Sequence, residues 1–253
     1  MTDNPAASRA DRDRKARQAF RYIATHALDR VANQINGSLE QLRASAANDP
    51  VTERQSALLD QTVAAASQLL RLCDDVVILL DAASGALVAH PERIPLTTLV
   101  REATAQAKAP EWSQSARPVV PDLSHALPTL QCDLKLTRRA LAALIENALR
   151  FSPPDAPVTV AARKRGAWAI IRVHDGGAGV ATELAEVMFA PLWSGQGRLN
   201  DSGIGMGVGL GLAVARVSIE AQGGRLTLEH AGGPGATFTI ELPIAQPGAA
   251  SSG

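Results

Sequence analysis

Between residues 20 and 42 apolar side chains recur every three or four positions: Phe20, Ile23, Ala24, Ala27, Leu28, Val31, Ile35, Leu39 and Leu42. That spacing puts them on one face of an α-helix. The Asn48-Asp49-Pro50 turn closes the run, because proline and its predecessor resist helical continuation. A second run passes through Leu58, Leu59, Val63, Leu69, Leu70, Val76, Val77 and Leu80 and stops near Ser84-Gly85. The two runs predict a helical hairpin, and from about residue 10 to 108 no strand pattern competes with it. One hairpin has too little partner surface to hide both stripes. Pairing with a second copy into a four-helix bundle solves this, so a homodimer is expected from the pattern itself.

From about residue 115 the pattern becomes mixed. Residues 134–149 form a helical run with Leu134, Leu136, Leu141, Leu144, Ile145 and Ala148 as its apolar positions. Residues 158–163 and 167–173 read as strands around a Gly166 turn, and 225–229 and 237–242 as two more around Gly232-Gly233-Pro234-Gly235. Helices alternating with antiparallel hairpins predict an α/β sandwich with helices on one face of a sheet. The expected layout is a flexible N-terminus over 1–14, the helical hairpin over 15–90, and a connection over 91–114 holding Pro91, Pro95 and Pro110. The α/β sandwich then runs over 115–244, with a disordered tail over 245–253.

Composition narrows the partners. Twenty-five basic residues balance twenty-five acidic ones, which gives no electrostatic footprint for nucleic acid or an anionic membrane. Of 253 residues 46% are hydrophobic, enough for one or two cores. Cys73 and Cys132 are far apart and in no metal-like spacing, so they fit small core residues of a reduced, cytoplasmic protein. The polar N-terminus is no signal peptide, and residues 76–89 are broken by Asp81 and too short to span a bilayer.

Four features carry candidate chemistry. At about 100° per residue, His26 points roughly 150° away from the centre of the apolar stripe. It shares the polar side with Lys15, Tyr22, Asp29, Arg30 and Asn33, where a near-neutral imidazole is either an ordinary surface group or a nucleophile toward phosphorus. Asn147 ends a helix in the run Glu146–Pro153, where it serves as a cap or as an amide ligand for Mg²⁺ beside phosphates. Arg150 lies on the same face and suits phosphate. Asp175-Gly176-Gly177-Ala178-Gly179 follows a hydrophobic strand; the carboxylate can accept from an exocyclic amine, and the glycines leave room for a ring. Last, glycine alternates from Gly203 through Gly205, Gly207 and Gly209 to Gly211, opening into a helix whose free N–H groups suit phosphate. A dinucleotide-binding loop is excluded, because such a loop follows the first strand of a βαβ unit with an acid about twenty residues on.

Taken together these motifs resemble the sensor histidine kinases, whose ATP-binding domain is shared with gyrase, the heat-shock chaperone ATPases and the MutL-type ATPases. The run from Asp133 through Leu136 and Leu141 to Pro153 resembles the N box, and Asp175 to Gly179 the first glycine box. Val187-Met188-Phe189-Ala190-Pro191-Leu192 resembles the phenylalanine box, Gly207 to Leu212 the second glycine box, and Gly235-Ala236-Thr237-Phe238 the terminal glycine-threonine element. The first half resembles the phosphoacceptor hairpin through Phe20, His26, Leu28, Asn33, Ile35, Gly37 and Glu40, and through Asp81-Ala82-Ala83-Ser84-Gly85.

The resemblance implies ATP and Mg²⁺ as cofactors. It makes His26 the acceptor of the γ-phosphoryl group, Asn147 the metal ligand and Asp175 the reader of adenine. Arg150, Gly177, Gly179, Gly205, Gly207, Val208, Gly209, Leu210, Gly211 and Thr237 would complete the nucleotide site, with 190–208 as a mobile lid. It also implies a response-regulator receiver as phosphate acceptor and a separate sensor protein as the source of input. The chain departs from the family at Ala27, where an acid usually follows the phosphoacceptor and Asp29 is the available substitute. It departs again at Arg30, at Ala143 in place of an asparagine, and at Gly176 in place of another. Ala143 argues against a gyrase-like ATPase. A dimeric histidine phosphotransferase relaying phosphate between receivers, with a degenerate ATP-binding domain, is the alternative. An anti-sigma-type serine kinase is disfavoured by the long hairpin.

Overall fold

The computed structural model describes residues 35, 37, 39, 40, 53–107, 118–124, 126–153, 155–191, 209–229 and 233–245. The chain divides into two units, Met1–Ala86 and Leu87–Gly253. In the first unit the second predicted helix is present as α1, Glu53–Ala83, 31 residues long. It ends where the sequence places its stop. The Ser84 and Gly85 amides bond back to the Leu80 and Ala82 carbonyls, and Gly85 takes φ +69°, a left-handed turn position that favours glycine. Ala66, Cys73 and Ile78 are buried, while Leu69 is 42% exposed. Of the first predicted helix, positions 35, 37, 39 and 40 are helical; the rest of it, His26 included, lies outside the described residues.

The second unit is an α/β sandwich. Strands β1 (Glu92–Pro95), β2 (Val119–Leu123), β3 (Thr129–Cys132), β4 (Val158–Arg165), β5 (Trp168–Asp175), β6 (Arg225–Glu229) and β7 (Ala236–Pro243) accompany helices α2 (Leu96–Ala107), α3 (Leu134–Phe151) and α4 (Gly211–Glu220). Five strands form one sheet in the order β2-β4-β5-β7-β6, with β2 parallel to β4 and every other pair antiparallel. β1 and β3 make a separate antiparallel pair. Alternation along β4, β5 and β7 turns Val158, Val160, Ile171, Val173, Phe238 and Ile240 into the core. The opposite face carries cross-strand ion pairs, among them Arg163 with Asp122 at 2.7 Å and Arg172 with Glu229 at 3.2 Å.

α3 lies against α2, α4 and strands β4 and β5, which is why Ala140, Leu141, Ala142, Leu144 and Ile145 are all fully buried. Asp133 starts it, accepting the Leu136 amide at 3.0 Å, and Ser152-Pro153 stops it. Both cysteines are free and buried, as expected of core residues. One segment differs from the expectation. Over 91–114 the structure places β1 and α2 rather than a bare connection, and 108–117 lie outside the described residues. Leu96, Leu99, Val100, Ala103 and Ala107 are the buried face of α2, a 3.6-residue stripe that the flanking prolines masked. Among the described residues no helix is long and apolar enough to cross a membrane.

Candidate functional site

Asp175 is the last residue of β5 and is 3% exposed. Its Oδ1 accepts two backbone amides, Gly177 at 2.9 Å and Ala236 at 3.2 Å. Those bonds fix the carboxylate and leave Oδ2 as its remaining acceptor. The next residues must be small. A Cβ at Gly177 would sit 2.6 Å from the Phe151 carbonyl oxygen and 2.9 Å from Asp175 Oδ1. Gly179 has φ +81°, and a Cβ there would overlap the carbonyl oxygen of Gly233. The glycine box is thus wedged between the C-terminal end of α3 and the turn before β7.

On α3, Ala143, Asn147 and Phe151 are four residues apart and share one stripe. Each end of that stripe meets a glycine. Gly211, the first residue of α4, has its Cβ position 3.6 Å from the Ala143 methyl, and Gly177 closes on Phe151. Asn147 lies midway, half-buried, with no hydrogen bond to its amide among the described residues. The stripe's ends are about 12 Å apart along the helix, far enough for a base at one end and its phosphates at the other. Arg150 is adjacent. Burial pulls its guanidinium below the usual arginine range, and nearby Glu146 offsets part of that. Glu146 itself is turned toward Arg139, 3.4 Å away, rather than toward Asn147's side.

The N-terminal end of α4 follows Gly209, at φ +73°, and Leu210. The entry to the predicted lid is anchored at Phe189, whose ring meets Phe238 edge-on at 6.3 Å and carries the Arg216 guanidinium 4.9 Å from its centroid. Arg216 is held by Glu220 at 3.0 Å and Glu186 at 3.2 Å, bonds that raise it above the ordinary arginine range. Gly205, Gly207 and Val208, like His26, lie outside the described residues.

Asp175, Gly177, Gly179, Asn147, Arg150, Gly209, Leu210 and Gly211 therefore surround one region. Thr237 does not join them. It pairs with His174, not Asp175, so strand alternation places it on the other face of the sheet, where its hydroxyl lies 3.0 Å from His174 Nδ1. Its neighbour Ala236 takes the place beside Asp175, through a backbone amide. Sequence reasoning missed Phe151, an aromatic 56% exposed at the mouth of this region. Its four-residue spacing from Asn147 was the available signal. A groove of about 710 Å³ lined by Leu87, Val88, Pro91, Gln131, Ala221 and Ile244 lies at the far end of α4 and belongs to none of this.

Residues 132–246 match the family described as histidine kinase-, DNA gyrase B- and HSP90-like ATPase. The chain is 25% identical to the adaptive-response sensory kinase SasA of Synechococcus elongatus over 188 residues, 74% of this chain and 47% of that protein. It is 32% identical to the sensor protein DivL of Caulobacter vibrioides over 202 residues, 79% of this chain and 25% of that protein. The chain thus spans less than half the length of these relatives. In fold it is similar to full-length ShkA in complex with AMPPNP, with TM-score 0.63 and 23% identity over 88% of this chain and 46% of that one. It is likewise similar to the Acinetobacter baumannii histidine kinase AdeS, with TM-score 0.57 and 23% identity over 84% of this chain and 97% of that one.

Proposed function

We propose that the chain is a sensor histidine kinase that phosphorylates its own His26 from Mg-ATP and passes the phosphoryl group to an aspartate of a response regulator, a reading supported by its match to the histidine kinase-, gyrase B- and HSP90-like ATPase family and by its similarity to sensor kinases. The observation that carries this reading is the α3 stripe, which holds Asn147 between the Gly211 end of α4 and the Asp175 glycine box. Asp175 Oδ2 accepts from the adenine amine, and the exposed Phe151 ring offers the base an apolar surface. Arg150 and the α4 N-terminus meet the phosphates.

Asn147 suits Mg²⁺. It is a hard, uncharged oxygen donor, and Mg²⁺ takes most of its coordination from phosphates and water. No cluster of three or more His, Cys, Asp or Glu competes for a metal among the described residues. Bound with the nucleotide, the ion supplies charge neutralisation at the phosphates. In the transfer, a His26 ring nitrogen forms the N–P bond as the bond from the γ-phosphorus to the bridging oxygen breaks. ADP leaves with that electron pair, and the imidazole proton passes to a base, for which we assign Asp29. The reading includes a homodimer built on the hairpin and a cytoplasmic location.

Incubation with γ-labelled ATP and Mg²⁺ tests this. Label that is acid-labile and alkali-stable, and absent from His26→Gln, is the expected result. Label persisting in His26→Gln would remove His26 as acceptor. Tight ATP binding with no label, but labelling from a phosphorylated receiver, would turn the reading into a phosphotransferase relay.

A further inference from the structure

Gln222 sits in the turn after α4, at the end of that helix remote from the phosphate site. Its side chain reaches three elements. Nε2 donates to the Ser218 carbonyl at 2.7 Å and to Thr137 Oγ1 at 3.1 Å. Oε1 accepts the Asp133 backbone amide at 2.6 Å and lies 3.3 Å from Thr137 Oγ1. Thr137 is fully buried and Asp133 is the N-cap of α3. One amide therefore ties the last turn of α4 to the first turn of α3.

The two helices run antiparallel, since the start of α4 meets Ala143 while its end meets Asp133. Between those points small side chains meet where Gly211 faces the Ala143 methyl at 3.6 Å. Alanine and glycine surfaces set a distance but resist sliding poorly, because they have little side chain to interlock. Gln222 supplies directional contacts between the end of α4 and the start of α3. Register decides where Gly209–Gly211 stands relative to Asn147, and so where the phosphates lie relative to the metal ligand.

We propose that Gln222 is a positioning residue for phosphate binding: it locks α4 against α3 so that the glycine-rich helix start is held over Asn147. The proposal rests on the ATP-binding reading above. The adenine end does not depend on α4, because Asp175 is held by β7 and its own turn. Breaking the clamp should therefore weaken ATP much more than adenosine.

Calorimetric titration of the full chain with Mg-ATP and with adenosine, for the unaltered protein, Gln222→Ala and Thr137→Val, tests this. In Gln222→Ala the affinity for ATP should fall roughly tenfold, about the loss expected for one to two buried hydrogen bonds, with adenosine changed less than twofold. Thr137→Val should shift the same ratio by a smaller factor, and the double variant should fall short of the product of the two. If Gln222→Ala does not fold, Thr137→Val alone decides by the ATP-to-adenosine ratio. Equal losses for ATP and adenosine, or no loss of either, would overturn the clamp while leaving the functional reading intact. An unaltered protein that binds no ATP would overturn both.

Discussion

In the Leu87–Gly253 unit Leu141, Leu144, Ile145, Ile171 and Phe238 are all fully buried, whereas along α1 Val63, Leu70, Val76, Val77 and Leu80 stay half-buried and Leu69 is 42% exposed. The second unit closes its core within one chain, by laying α3 and α4 on a five-stranded sheet and α2 against α3. A helical stripe has no sheet to lie on, and the homodimer proposed for the hairpin would cover it. On the proposed reading the first unit serves association and the second ligand binding. Damage to either should leave the other standing.

The hardest blow to the second unit alone is Gly179→Ala. The left-handed φ costs an alanine about 1–2 kcal/mol, and the overlap with the Gly233 carbonyl adds a comparable amount. A loss of about 3 kcal/mol in unfolding free energy is expected, with ATP binding abolished and the oligomeric state unchanged in sedimentation. Asp175→Asn is narrower. An asparagine oxygen can still accept from Gly177 and Ala236, so folding should hold. Its NH₂ group then faces the adenine amine, donor against donor, and ATP affinity should drop by roughly a hundredfold, about 2–3 kcal/mol. Guanine presents an acceptor at that position, so GTP should lose much less. Equal losses for the two nucleotides would disprove the role given to Asp175.

How much of this contrast was legible depends on what marked each element. α3 was read to within two residues at either end because Asp133 caps it and Pro153 stops it, local signals that need no tertiary context. α2 was missed although Leu96, Leu99, Val100, Ala103 and Ala107 spell a helical stripe. Pro95 sits just before the first turn, where a missing N–H costs nothing, and in sequence such a proline looks the same as one in a connection. β2 and β3 are four or five residues long, and Pro121 interrupts β2, so their pairing is decided by partners distant in sequence. Around Asp175 the glycines were legible as a pattern, and the structure shows what requires them at Gly177 and Gly179, the close approach of the Phe151 and Gly233 carbonyls. Thr237 was misplaced because a motif match ignores which way a strand residue faces; one step along β7 exchanges the two sides of the sheet.

The first unit can be tested separately through Leu69, exposed on α1 and part of the unit that holds none of the residues grouped around Asp175. Leu69→Asp should weaken self-association by roughly 2 kcal/mol, about thirtyfold in Kd. ATP affinity should stay within twofold of the unaltered protein. A monomer that also lost ATP binding would break the claim that the two units stand independently.

The smallest effect sharpens the same division through pH. Cys132, at the end of β3, is fully buried, and loss of solvent pushes its thiol up from 9.0 to about 11, with the Thr137 contact opposing the shift. Between those values the unfolded chain has released the proton while the folded protein still holds it. The stabilising contribution is therefore complete below pH 9 and is lost as pH rises through about 11. Between pH 9 and 10 this amounts to about 1 kcal/mol. In denaturant titrations the unaltered chain should lose that much more than Cys132→Ala over the same interval, and only in the transition of the Leu87–Gly253 unit. Cys73, buried in α1, belongs to the other unit, so Cys73→Ala should leave the slope of that transition with pH unchanged.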